Sequence, residues 1–189
     1  MFQLLLTFLF CVYGIYGQVP VVGKCPTISS VQQNFDLNRY LGKWYEAEKY
    51  FMIFEAGGKC NSANYSLNEN GTVKVLNEEI DILGKQSSIV GVARPAGAAD
   101  EAKFLVSFPS YPVQTGEAPY WVLETDYDNY AVVWSCTELP IISTRFAWIL
   151  TRERNPSTDV VQKAYAVFDR LNLDKTQLQK TDQSNCPSD

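Results

Sequence analysis

Between residues 42 and 151 the chain is cut into eight short runs rich in Val, Ile, Tyr, Phe and Trp, separated by stretches that hold Gly, Pro, Asn and Asp. Such runs read as strands, because β-branched and aromatic side chains pack well on a pleated surface. They cover roughly 42–51, 59–68, 72–82, 86–94, 102–107, 120–125, 130–137 and 145–151. Asn70-Gly71 and Asp128-Asn129 stand between neighbouring runs at hairpin distance, so the simplest connection is an antiparallel meander. One helix is expected after them, starting near Pro156 and Ser157, with Val160, Ala164, Val167, Phe168 and Leu171 along one face. The late runs YWVL (120–123), YAVVW (130–134) and FAWIL (146–150) are apolar on both faces, so the helix is expected to cover their outer side. Closure of the meander removes edges that invite aggregation, and a closed ring of eight strands is about wide enough for one small ligand. The expected fold class is all-β: a closed eight-stranded antiparallel up-and-down barrel with one C-terminal α-helix packed outside. An open sandwich is the alternative, and so is a barrel whose interior is simply filled by side chains.

The first seventeen residues, MFQLLLTFLFCVYGIYG, carry no charge and end in small glycines, which reads as a secretory signal too short to span a bilayer. Residues 18–189 then form a single domain in a secreted, extracellular protein. The formal charge of −5 and the lack of a basic patch argue against nucleic acid as a partner. Cys11 leaves with the signal, and the even set Cys25, Cys60, Cys136 and Cys186 suggests two disulfides in any of three pairings. Their wide spacing, with no histidine anywhere in the chain, speaks against a zinc site, and no metal or other cofactor is expected. The missing imidazole also removes Ser-His and Cys-His pairs and the haem ligand of globins. The acidic pairs Glu78-Glu79 and Asp126 with Asp128 read as solvated surface, so an enzyme is not expected.

Three separated motifs, Gly42-Lys43-Trp44, Thr125-Asp126-Tyr127 and Arg152 after FAWILT, resemble in order the signatures of the lipocalin family. The segments NFDLNRYLGKWYE (34–46), APYWVL (118–123), SCT (135–137) and TDQSNCP (181–187) resemble most its apolipoprotein D branch with the insect relatives. The resemblance implies a calyx in which Gly42, Trp44, Asp126 and Arg152 are structural, Arg152 lying on the Trp44 ring as a plug. It also implies the pairings Cys25–Cys136 and Cys60–Cys186. The implied partner is a small hydrophobic ligand: a fatty acid, a sterol or steroid, or a related lipid. Biliverdin-type pigments are the alternative ligands, and an adhesion or signalling protein with a vestigial calyx is the alternative role. Apolipoprotein D has a further cysteine soon after SCT where this chain has Glu138-Leu139-Pro140, so the expectation is a monomer or a weak non-covalent dimer.

Alternation along strands assigns the inner face. If Cys60 faces outward to reach a tail, Asn64 does too, while Ala63, Tyr65 and Leu67 face in. Asn64-Tyr65-Ser66 and Asn70-Gly71-Thr72 are N-glycosylation sequons. Cys136 facing outward places Ala131, Val133 and Ser135 inside and turns Trp134 to the helix. Val73, Val75, Asn77 and Glu79 share one face, apolar low and polar high. Phe146 and Trp148 share the face of Leu150 and Arg152. The ligand-binding set expected is therefore Tyr65, Val75, Asn77, Glu79, Val133, Phe146 and Trp148, and the resemblance adds Tyr120, implying that Tyr65, Tyr120 and Trp148 are aromatic pocket positions. Phe51, Ile53, Phe54 and Ile141 fall in two turns at one end, an apolar rim that either docks on a lipoprotein or membrane surface or folds over the ligand as a lid.

Overall fold

A computed structural model of the protein describes residues 19–52, 55–98, 100–110 and 116–188. The expected signal segment and the rim residues Ile53 and Phe54 lie outside them. Ten strands form one sheet: β1 (Val19–Val22), β2 (Gly42–Tyr50), β3 (Lys59–Leu67), β4 (Val73–Ile80), β5 (Gln86–Pro95), β6 (Lys103–Ser107), β7 (Ala118–Thr125), β8 (Tyr130–Glu138), β9 (Ile142–Thr151) and β10 (Leu178–Lys180). From β2 to β9 each strand pairs antiparallel with the next, and β9 returns to pair with β2, so eight strands close into a barrel. The sequence-based meander is observed, and the open sandwich is excluded.

Among the described residues four short elements carry no periodic signal in sequence: β1, β10, the four-residue helix α1 (Leu37–Tyr40) and a 3-10 turn at Lys175–Gln177. Each strand exists because it satisfies an edge. β1 pairs with the upper part of β9, from Arg145 to Ile142. β10 pairs with Glu48, Lys49 and Tyr50 of β2, where β2 has parted from β3. The tail after β10 continues along that seam: the Thr181 amide donates to the Ala47 carbonyl at 3.0 Å and the Cys60 amide to the Asp182 carbonyl at 2.8 Å. Gln183 Nε2 bridges both sides, donating to the carbonyls of Glu46 at 2.9 Å and Asn61 at 2.8 Å.

Two apolar layers result. The inner one includes Trp44, Val75, Val122, Ala131 and Val133. The outer one joins Trp134, Ile149 and Tyr50 to Ala164, Val167 and Phe168 of helix α2 (Thr158–Arg170). The Ser157 side chain caps α2 by accepting from the Val160 amide, while Asp159 near its start and Arg170 at its end suit the helix dipole. Complete burial of Val167 and Phe168 contributes about 1.5–3 kcal/mol each. Disulfides Cys25–Cys136 and Cys60–Cys186 tie the two tails to the wall, in the pairing implied by the resemblance.

Candidate functional site

One end of the barrel is sealed. Gly42 opens β2 at φ +91°, a left-handed conformation that glycine adopts without strain, and lets the chain turn in beneath the wall. Trp44 is fully buried two residues on, with its indole nitrogen donating to the Tyr40 carbonyl at 2.8 Å. The Arg152 guanidinium lies 3.7 Å from the Trp44 ring centroid. It donates to the carbonyls of Tyr127 (2.9 Å), Lys43 (2.8 Å), Arg39 (2.8 Å) and Leu41 (3.0 Å). Asp126 Oδ1 accepts from the amides of Asn129 and Tyr130, which fixes the β7–β8 turn beside this plug. Desolvation opposes that carboxylate, but these amides outweigh it and hold Asp126 below its ordinary value. Above the plug, Tyr120 Oη lies 2.9 Å from the hydroxyls of both Tyr40 and Tyr65. The three hydroxyls thus form one chain of hydrogen bonds on this apolar floor.

Above the floor the wall opens. Along β4 the inward residues pass from buried Val73 and Val75 to half-exposed Asn77 and Glu79. Along β9 they pass from buried Leu150 to half-exposed Trp148 and Phe146, whose rings stack at 5.9 Å. Tyr120, also half-exposed, lies 6.5 Å from the Trp148 ring. Val133 and Tyr65 are buried within the same inner layer. Inward side chains that stay half-exposed are those of an open cup, not of a filled core. Leu67 departs from the expectation: it keeps the inward parity of Tyr65 yet is exposed, because β3 has by then run past the barrel floor.

High inside the cup lies a polar cluster that alternation alone does not reveal. A bulge between Glu46 and Glu48 shifts the β2 register, so Glu46 lies opposite Leu150 and Lys49 opposite Trp148, both on the inner face. Lys49 Nζ reaches Glu46 Oε1 at 2.8 Å and also binds Glu55 Oε2 from the β2–β3 loop. On β3, Asn61 keeps the inward parity of Ala63 and Tyr65, at a second bulge between Lys59 and Ser62 with Cys60 at φ +61°. Its Nδ2 donates to Glu55 Oε2 at 3.3 Å and Glu79 Oε2 at 3.2 Å, whereas its buried Oδ1 accepts no hydrogen bond among the described residues. Burial, then the Glu55 carboxylate, pushes Glu46 up to about 8. Burial and Glu55 also raise Glu79. Desolvation acts to lower Lys49, but Glu46 and Glu55 outweigh it and hold it above its ordinary value.

Around the mouth, Phe51 and Ile141 are exposed as expected, Ile141 at 80%. Met52, inside the same apolar run as Phe51, is instead buried. Ile82 and Leu83, in the β4–β5 turn at the same end, add an exposed apolar tip that sequence reasoning missed. A run of two gave it no signal, since only the meander brings that turn beside the other two. Asn64 and Asn70 are both exposed, and Asn70 Oδ1 accepts from the Thr72 hydroxyl at 2.7 Å.

Comparison with known proteins places this geometry. The family model described as a lipocalin-like domain matches residues 35–183. Apolipoprotein D of Macaca fascicularis is 43% identical over 189 residues, covering 99% of this chain and 97% of its own. The bilin-binding protein of Pieris brassicae is 37% identical over 134 residues, covering 70% of this chain and 69% of its own. Lobster apocrustacyanin A1 superposes with a TM-score of 0.76 at 28% identity, over 89% of this chain and 93% of its own.

Proposed function

The chain belongs to the lipocalin family, whose members carry small hydrophobic ligands, and from that premise we propose that it is a secreted carrier of a lipid in the fatty-acid, sterol or steroid class. The single observation behind this reading is the contrast within one barrel: a floor sealed by Trp44 and Arg152, below inward rings of Tyr120, Phe146 and Trp148 that stay half-exposed. The ligand's apolar body enters first, against Val75, Val133, Tyr65 and those rings. Burial stabilises it by about 25 cal/mol per Å² before entropy costs. Its polar end stays with Asn77 and Glu79. A bound lipid is expected to quench tryptophan fluorescence, and Trp148→Phe to abolish most of that quenching. Unchanged quenching in the variant would remove Trp148 from the lining.

Residues 18–189 act as one extracellular domain after loss of the leader, with glycans on Asn64 and Asn70, and two disulfides suit an oxidising compartment. Catalysis has no place in this reading; the cup holds its ligand unchanged. The likeness to a bilin-binding protein supports a second ligand class, a biliverdin-type pigment. Visible absorbance of the protein from its source separates the two. Exposed Phe51, Leu139, Ile141, Ile82 and Leu83 around the mouth support docking on a lipoprotein or membrane surface. Phe51→Ser with Ile141→Ser is expected to reduce flotation with liposomes, and undiminished flotation would reject docking.

A further inference from the structure

The polar cluster high in the cup has two features that a general apolar pocket does not need. It gathers three carboxyl groups with one ammonium: Lys49 Nζ meets Glu46 and Glu55, and Asn61 ties Glu55 to Glu79. It also holds Asn61 at 6% exposure with a buried Oδ1 that accepts no hydrogen bond among the described residues. The orientation of that amide is fixed chemically: its Nδ2 faces two carboxylates, Glu55 and Glu79, which accept and do not donate when ionised. Oδ1 is therefore the prong left over, on the inward-facing side chain that precedes Ala63 and Tyr65 on the inner face of β3. A buried acceptor with no donor costs free energy until a donor arrives.

We infer that Asn61, with Glu79 and Glu55 beside it, is the specificity-determining polar subsite of the cup, and that it takes the hydroxyl of a neutral amphiphile in preference to the carboxylate of a fatty acid. This deepens the carrier reading above and rests on it. An alcohol O–H supplies the donor that Oδ1 lacks. A carboxylate supplies none, and it meets acceptor atoms and like charge from Glu55 and Glu79. Lys49 supplies a cation to the cluster, but two of its three N–H groups already point to Glu46 and Glu55, so an acid's carboxylate has to compete with them. The neighbouring rings agree with this orientation. Lys49 lies opposite Trp148 in the β2–β9 ladder, so the subsite sits at the height of the indole, with the apolar lining below it.

The test is a ladder of three twelve-carbon probes added at neutral pH to the disulfide-bonded protein, read by tryptophan quenching: dodecanol, its methyl ether and dodecanoate. The ether keeps the oxygen and replaces the donor hydrogen by a methyl group. Dodecanol is expected to bind about 5–10-fold more tightly than the ether, with dodecanoate no tighter than the ether. Asn61→Leu is expected to bring dodecanol down to the ether's affinity and leave the ether unchanged. An ether that matches the alcohol in the natural protein, or dodecanoate binding more tightly than either, overturns the inference while the carrier reading stands. If none of the three binds, this inference fails, and the carrier reading fails with it only if cholesterol, added in the same assay, does not quench either. The probe ladder needs no variant, so a misfolded Asn61→Leu does not decide the outcome.

Discussion

The floor and the mouth of the barrel are built from the same strands, yet they solve the burial of polar groups in opposite ways. At the floor, Arg152 is surrounded by carbonyl oxygens and covered by an indole, so each donor it uses has a partner. At the mouth, Glu46, Lys49, Glu55 and Asn61 are packed together with more acceptors than donors, and one amide oxygen has no partner among the described residues. A saturated polar network rigidifies its surroundings, whereas an unsaturated one is costly until another molecule completes it. The difference teaches which end holds the barrel together and which end is arranged for something that is not part of the chain.

Four experiments probe that contrast, the largest effect first. Trp44→Ala removes the fully buried ring under Arg152 and is expected to cost about 3–5 kcal/mol in urea unfolding. A loss under about 1 kcal/mol would mean the floor is not the structural end. Replacing Cys60 and Cys186 together by serine frees the tail that fills the seam between β2 and β3. The expected loss is about 2–4 kcal/mol, with faster amide exchange in β10 than in β7 or β8.

The third uses pH. Glu46 holds its proton up to about 8 in the folded chain, against an ordinary value of 4.5. Because the folded value is the raised one, its contribution to stability is complete below about 4.5 and is lost as pH rises towards 8. Thermal unfolding is expected to show a decline of roughly 1–3 kcal/mol across that window, and Glu46→Gln to flatten it. Asp126, at the floor, works in the opposite sense: its lowered value contributes stability above about 3.8 that is lost in acid. The smallest effect is Ile141→Ser at the exposed rim, expected to change stability by less than about 0.5 kcal/mol. A larger loss would show that the rim packs down as a lid.

Eight strands, their order and the outer helix were legible in the chain, because each rests on a period that a short segment displays by itself. Val73, Val75, Asn77 and Glu79 show a two-residue period that continues through β4 without a shift. The inward aromatic rings at 146 and 148 were legible for the same reason. Two bulges were not. An extra residue between Glu46 and Glu48, and another between Lys59 and Ser62, reverse the facing of the strand residues beyond them, and local alternation has no means of registering an insertion. Glu46 and Lys49 therefore read as residues on opposite faces, although the fold sets them side by side.

What the sequence determined was patterning: where strands begin and which face is apolar, while the plug of Gly42, Trp44 and Arg152 was implied by the resemblance to lipocalins. What only the tertiary structure decided was proximity. Glu55, Asn61 and Glu79 come from a loop and two strands, and Thr181 and Gln183 reach this cluster from the far end of the chain. Whether a buried carboxyl keeps its proton depends on distances of a few ångströms between such residues, and those are fixed only when the ring of strands closes.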